Sequence, residues 1–583
     1  MILAIVLAVV LALSKRSWAC TCVVVGKDAS ATGQIIVGHN EDDPGRAVVA
    51  RHLVPPSEEG ITGPFEPCSS SVKIEGPTLG YIWSQVRTIP GQSGADCYLN
   101  EKGVFIASDN CQDSRQDNEP DLSGGGIVYE LRTVLAAKAN SAREGVAIAT
   151  DLLDRYGYGQ SGRCYTVADK DEAWMIQVVM GKHYCARRID DDEVAFMPNH
   201  YTIDKVVVGD PRFIISPGLV ELAESKGWLV GDEREFDFAA TFQDPDSRNR
   251  PGNTYRHVHG LRKITGKIWE ISDLPFSAKP TRPVDVQDVM DILREHYHGT
   301  DDDIRDGEDF SPHYTSVRRI CTGTTLESLV IRFRDRPELN TLWTATGRPC
   351  TSPFVPWYGG IIGMPKEQFV EDCSTALERQ FTFNPSDFDY DDGLAWWAVQ
   401  DLQSLLDGQY DGEAEKVKAH LEQVERVWLA EDDEVAKKAL SIYQEDGEKG
   451  AMYLTGQTSD KSEQATSMAR YLYKILPKTE LSSDLSSMTK GDRYGEITLS
   501  FVHDSSVIES TMIFGQGMQS SLSWAKPVIG SLSQEGSRWS VRFRVREATE
   551  SAIPCRGDFW LYGKDQEGQN IVGKTIIEVT KKD

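Results

Sequence analysis

The sequence predicts an α+β chain: an αββα sandwich with helical additions, followed by a C-terminal all-β domain. Three observations predict it. Strand patterns open the chain at 20–25 and 34–38 and return in groups. Two consecutive helical patterns, 127–140 and 141–156, follow the second group of strands, as a layer of helices on a sheet requires. In the last hundred residues, Ile497, Leu499 and Phe501 alternate with polar residues, as do Trp539, Val541, Phe543 and Val545. Turns rich in Gly, Ser and Asp separate these runs, the pattern of a small β-sandwich.

The chain begins with thirteen apolar residues. That run is shorter than the roughly 20 needed to span a bilayer and suits the apolar part of an export leader. Lys15 and Arg16 follow the run and do not precede it. Ser17-Trp18-Ala19 then places small residues at −3 and −1 relative to Cys20, the pattern of a signal-peptidase site. Cleavage there would make Cys20 the first residue, with a thiol and a free α-amine together. An α-amine has a pKa of about 7.7–8.0, so near neutrality it can take the proton of its own thiol. The thiolate is the nucleophile, and no separate histidine is needed. Two other readings of a cysteine behind a leader stay open, a disulfide partner and a lipid-acylated anchor. A retained leader would block the amine. No other stretch approaches the length of a membrane span.

The formal charge is −27, and loss of the leader with its two basic residues takes it to −29. Such a surface makes nucleic acid and anionic membrane poor partners. Beside Cys20 there are ten more cysteines, an even number that fits an exported protein with up to five bridges of unreadable pairing. No pair of CxxC motifs or histidine cluster has zinc spacing, and no structural metal is expected. His296 and His298 beside Asp301–Asp303 do not change that expectation.

The chemistry concentrates in Cys20-Thr21-Cys22-Val23-Val24-Val25-Gly26-Lys27, followed by the strand 34–38 and His39-Asn40-Glu41-Asp42-Asp43. This pairing resembles the opening of the N-terminal-nucleophile (Ntn) cysteine dipeptidases, the dipeptidase A and secernin group. Bile-salt hydrolases and penicillin V acylases are their relatives. The resemblance puts Cys20 in the nucleophile's place and Asp42 in that of the family's aspartate. It assigns His39 and Asn40 to the substrate side. His39 stands where the relatives usually carry arginine.

In chain order, 52–78 reads as a surface loop, and strand patterns resume at 81–83 and 96–99. The turn Asn100–Gly103 and strand Val104–Ala107 resemble a family segment in which an asparagine ten residues on donates to the oxyanion. Asn110 has that offset. Strands follow the two helices at 164–167, 173–179 and 183–189, then an acidic turn at 190–193. Met197–Tyr201 resembles a short family turn, which makes Asn199 a second polar group facing the cleft. Residues 236–250 read as a polar loop. The segment Asn253-Thr254-Tyr255-Arg256 resembles one that carries the arginine bordering the nucleophile. Arg256 would hold a substrate carboxylate in a two-pronged hydrogen bond or help keep the thiolate ionised. Arg248 and Arg250 are its rivals.

Residues 284–297 form an amphipathic helix, and 294–300 resemble the family's Arg-x-His-Tyr-x-Gly-Thr without an assigned chemistry. Residues 319–321 and 325–331 read as core strands. The prolines of 349–356 stiffen a further family-like loop, and Trp396 and Trp397 read as core. Helices are expected at 412–447 and 465–476. The resemblance ends near Pro477. The expected organisation is therefore a leader at 1–19, an Ntn-type domain at 20–477 and a β-sandwich-like accessory domain at 485–583.

The resemblance implies an exported cysteine dipeptidase, in the periplasm, at the cell surface or outside the cell. It would work through a thioester acyl-enzyme and need no cofactor. Its catalytic group would be Cys20, Asp42, Asn110, Asn199 and Arg256, and its partners dipeptides or small amides. Two alternatives stay open: an acyl-amide hydrolase of the bile-salt or penicillin V type, and an inactive surface-binding protein on the same fold. No membrane span remains after processing, and a homo-oligomer is possible.

Overall fold

The computed structural model describes residues 20–581 except 44, 62–73, 89–94, 112–113, 116–121, 123–125, 129, 304–310, 314, 316, 369–371, 380–383 and 519–522. The leader 1–19, Cys68 and residues 62–73 of the expected 52–78 loop lie outside the described residues, and 52–54 end the strand Ala47–Val54. Two sheets form the centre. The first has seven strands, in the order Ser277–Ala278, Val194–Met197, Thr21–Val25, Ile36–Asp42, Thr325–Arg332, Thr341–Thr346 and Val355–Tyr358. The second has eight, in the order Phe213–Ile215, Tyr184–Arg188, Ala173–Gly181, Tyr158–Ala168, Phe105–Asn110, Ala95–Asn100, Tyr81–Thr88 and Ala47–Val54. All their pairings are antiparallel.

The period of two sorts side chains between layers. On the strand Ala173–Gly181, Met175 and Val179 face the core between the sheets, while Trp174, Ile176 and Val178 face the helices Glu130–Lys138 and Ala142–Tyr156 outside. The second helix starts where Ser141 accepts a hydrogen bond from the Glu144 N–H, and ends at Gly157 with φ 71°. On the outer face of the first sheet lie the helices Pro251–Thr265 and Val286–Leu293. A Cβ on Gly38 would sit 2.3 Å from Val289, so the bare glycine lets the helix Val286–Leu293 settle on its strand. The result is the αββα stack the sequence predicts.

Several elements differ from expectation. The 236–250 segment holds two short helices, Phe238–Phe242 and Pro245–Arg248, because Asp237 and Asp244 cap them. The helix expected over 284–297 stops at Leu293, and Tyr297 adopts a left-handed φ of 66°. Residues 319–321 are irregular. The expected helix 465–476 is the end of a much longer one, Gly447–Ile475, that pairs with Glu415–Glu445 in a hairpin. Gly450 allows that closeness, since a Cβ there would meet the Tyr443 ring at 2.5 Å.

Two four-stranded sheets between Leu481 and Thr580 make the C-terminal sandwich, with Ile497, Leu499, Phe501, Val541 and Phe543 inside. It docks on the αββα core through buried charge as well as apolar surface. Arg46 Nη1 lies 2.6 Å from Asp558 Oδ1, and the Arg46 guanidinium sits 4.3 Å above the Trp397 ring. Lys574 Nζ lies 2.6 Å from Asp401. The nine cysteines whose side chains are described are all buried, and no disulfide joins any two of them, so the expected bridges are not found among them. No described helix is long and apolar enough to cross a membrane.

Candidate active site

The register of the first hairpin builds the site. Thr21 pairs with Asn40 and Cys22 with His39, which brings Cys20 opposite Glu41. Side chains of paired residues share a face, so Cys20, Cys22, His39 and Glu41 point one way and Thr21, Asn40 and Asp42 the other. The Cys20 thiol donates to Glu41 Oε2 at 3.0 Å. A donor atom from each of Cys20, His39 and Glu41 lies within 4.8 Å of the other two. His39 is fully buried, with Nε2 3.4 Å from Asp109 Oδ1.

Arg256 ties the nucleophile's main chain to the rest of the site. It projects from the helix Pro251–Thr265, one turn before Gly260 on the same face. A Cβ on Gly260 would lie 2.2 Å from the Phe196 ring, so the glycine brings this helix onto the strand Val194–Met197 beside Cys20's own strand. Arg256 Nη1 donates to the Cys20 carbonyl at 2.6 Å and to Thr21 Oγ1 at 3.1 Å. Its Nη2 donates to Asn199 Oδ1 and Asn253 Oδ1, each at 2.9 Å, and its Nε to the Gly252 carbonyl at 2.7 Å. Five donors meet five protein acceptors, which spends the whole guanidinium. The two-pronged grip on a substrate carboxylate is therefore corrected: Arg256 positions Cys20 and supplies fixed positive charge beside it. Its rivals stand apart, since Arg248 pairs with Asp237 and Arg250 precedes the helix.

Asn199 and Asn110 join the same chain of bonds. Asn199 Nδ2 donates to the Asn110 carbonyl at 2.8 Å while its Oδ1 accepts from Arg256. Asn110 ends its strand half-buried. Asn199 is thus largely committed to holding the site, whereas the Asn110 carboxamide makes no hydrogen bond among the described residues.

Asp42 and Asp43 are both buried behind the hairpin. Thr325 donates its hydroxyl to Asp42 Oδ1, and Oδ2 has no hydrogen-bond partner among the described residues. Burial pushes the Asp42 carboxyl up to about 7, against the Thr325 bond and the charges of Arg256 and Arg318. Burial likewise lifts Asp43 to about 8. Asn40 differs from its expected role. It is fully buried, and Nδ2 donates to the Leu293 and Ile320 carbonyls at 2.9 Å each, so it ties strand to loop and does not face a substrate. His39 is likewise sealed from solvent and lies beside the thiol.

Two residues were missed in the sequence. Glu41 could have been found by carrying the period of two forward from His39 to the residue opposite Cys20. Arg318 sits in an irregular loop, and no spacing announces it. It interacts electrostatically with Arg256, Asp42, Cys20 and Asp43; burial, then the Arg256 charge, lowers its pKa to about 10, which leaves it cationic. Its Nη1 makes no hydrogen bond among the described residues.

Residues 19–423 match the model of peptidase family C69. The chain belongs to peptidase family C69. It is a cysteine-type peptidase. Among its relatives, a probable dipeptidase of Latilactobacillus sakei is 26% identical over 410 residues, covering 65% of this chain and 85% of that protein. A dipeptidase of Bifidobacterium longum is 24% identical over 476 residues, covering 74% and 86%. A penicillin V acylase from Agrobacterium tumefaciens overlaps 56% of this chain and 82% of its own, at 12% identity and a TM-score of 0.28. In this C69 peptidase the helical hairpin is only partly inside the family match, and the C-terminal sandwich lies wholly beyond it.

Proposed function

We propose that this C69 peptidase is an exported dipeptidase whose nucleophile is the thiol of an N-terminal Cys20. One observation carries the substrate class: the Glu41 carboxylate lies 3.0 Å from the Cys20 sulfur. In a dipeptide the ammonium is two bonds from the scissile carbonyl carbon. A carboxylate beside the attacking sulfur therefore meets that ammonium when the carbonyl is in place. An apolar acyl group would gain nothing from Glu41 and would strip it of water. The relatives named as dipeptidases support the same reading.

The free α-amine of Cys20 takes the thiol proton, and Sγ attacks the carbonyl carbon. The oxyanion forms toward the Asn110 carboxamide. The ammonium returns its proton to the leaving amine, and a thioester remains. Water, deprotonated by the same amine, then attacks the thioester and releases the acid and the thiol. Asp42 supports this sequence because it is a buried carboxyl whose Oδ2 has no hydrogen-bond partner among the described residues. In the full-length chain the Cys20 nitrogen is an amide; removal of 1–19 would add an ammonium to the charges of Arg256 and Arg318 that already act on Asp42.

Intact mass and N-terminal sequencing of the protein from its native host test the processing. An unmodified Cys20 at the terminus is expected; a lipidated Cys20 or a retained leader refutes it. Assays of dipeptides beside N-acyl amino acids test the substrate. Hydrolysis of the N-acyl compounds alone would move the assignment to an amide acylase.

A further inference from the structure

We propose that this C69 peptidase carries a structural zinc site made by His296, His313, Cys321 and Cys350. All four residues are buried, and one donor atom from each lies within 4.8 Å of the other three. A tetrahedral zinc with Zn–S of about 2.3 Å and Zn–N of about 2.0–2.1 Å holds its ligands about 3.3–3.8 Å apart. Only small side-chain movements separate the four donors from that arrangement. His313 Nε2 and Cys350 Sγ already lie 3.1 Å apart.

The surroundings match what a metal site needs. His313 Nδ1 lies 2.7 Å from Asp407 Oδ1, which fixes the proton on Nδ1 and leaves the Nε2 lone pair facing the sulfurs. Ser311 also donates to Asp407 Oδ1, at 2.8 Å. Arg348 pairs with the other Asp407 oxygen at 2.9 Å. His296 has its Nδ1 3.4 Å from the Tyr410 hydroxyl, and its ring interacts with the Cys350 thiol. A zinc ion with two thiolates is neutral, as is the Asp407–Arg348 pair, so the loaded site buries no net charge. Binding releases both thiol protons to solvent.

Four protein ligands close the coordination sphere, so the metal braces the fold and takes no part in hydrolysis. Borderline-soft sulfur and imidazole donors select zinc over magnesium or calcium. The site draws together four separate segments: the end of the helix Val286–Leu293, the 311–313 turn, the loop before Thr325 and the turn Pro349–Thr351. The loop before Thr325 is the one that reaches the active site. Its Ile320 carbonyl accepts from Asn40, and Thr325 donates to Asp42. The spacings of 16, 7 and 28 residues between successive ligands follow no zinc motif, which is why no structural metal is expected from sequence.

The test uses the full-length chain, purified without chelators and analysed for metal. About one zinc per chain is expected. Cobalt exchanged into the site should give the visible absorption of a tetrahedral ion and a near-ultraviolet thiolate charge-transfer band. Cys350→Ser and His313→Gln should each lose the metal, while Cys555→Ser, in the distant sandwich, should keep it. Should those two variants fail to fold, the wild-type cobalt spectrum decides alone. A metal-free wild-type chain, a cobalt spectrum without thiolate bands, or a Cys321–Cys350 disulfide in a non-reducing peptide map would each overturn the proposal.

Discussion

Two buried clusters of cysteine and histidine in this molecule are built in opposite ways. At Cys20 the sulfur, His39 and Glu41 come from two adjacent strands of one hairpin, and Asp109 from the facing sheet. At Cys350 the four polar groups come from four segments that share no regular element. The first cluster sits at a strand end with half-exposed groups around it, Glu41, Asn110 and Arg318. The second is closed on every side, with a carboxylate and a guanidinium behind it. On the proposed roles, placement would separate a thiol that meets substrate from thiols that hold structure together.

Substitution of the two sulfurs should separate these roles by the widest margin. Cys20→Ala in the processed enzyme should lower kcat/KM by about 10⁴-fold or more, as removal of a covalent nucleophile does. Its unfolding midpoint in urea should barely move, because Cys20 ends a strand and anchors through its carbonyl. Cys350→Ala should do the reverse and lower the midpoint, with a smaller loss of kcat in the fraction that stays folded. Equal effects of the two substitutions on stability would erase the distinction.

The same contrast explains what the sequence revealed. The Cys20 hairpin was legible because a strand's period of two and a short turn fix which residues face each other. Cys20, Asp42, Asn110, Asn199 and Arg256 all come to one place on that basis and on the family resemblance. Their finer roles were not legible. Whether Arg256 has a free donor depends on Asn199 and Asn253, which only packing brings to it. Arg318 and the Cys350 cluster rest on irregular loops, where no periodicity links neighbours in space. The segments 236–250 and 447–464 were misread for local reasons. Aspartate caps make short helices out of polar sequence, and Gly450 serves helix packing where a glycine usually weakens a helix.

The next largest effect concerns Asp42 in the full-length chain. Its carboxyl titrates near 7 in the fold and near 3.9 when unfolded. Between those values the folded state holds the extra proton, so stability falls as pH rises through the window. A shift of about three pH units corresponds to up to about 4 kcal/mol. Below about pH 4 both states are protonated, and the effect vanishes. Asp42→Asn should lessen that slope in urea titrations between pH 4 and 7, leaving the part that Asp43 contributes; an unchanged slope would show that Asp42 is already paired. Processing at Cys20 should lessen it too, because the new ammonium favours the anion.

Asn110→Ala should cost about 10²–10³-fold in kcat with little change in KM, the loss that follows removal of one oxyanion donor. Asn199→Ala should combine a kcat loss with lower stability, since it also strips an acceptor from Arg256. If Asn110→Ala left kcat intact, the oxyanion would have to be held elsewhere.

The smallest predicted effect is at Arg318. Arg256 spends all its donors on the protein, so a dipeptide's carboxylate needs another cation. Arg318 has a buried Nη1 with no hydrogen-bond partner among the described residues and interacts with Cys20 itself. Arg318→Gln should raise KM for dipeptides by about tenfold, near 1.4 kcal/mol, and leave KM for C-terminally amidated dipeptides unchanged. The amidated control matters because Arg318 also interacts with Asp42 and Asp43, and loss of its charge there would act on every substrate alike. An equal rise in KM for free and amidated dipeptides would make Arg318 a support for the buried carboxyls and would leave the substrate's carboxylate to another group.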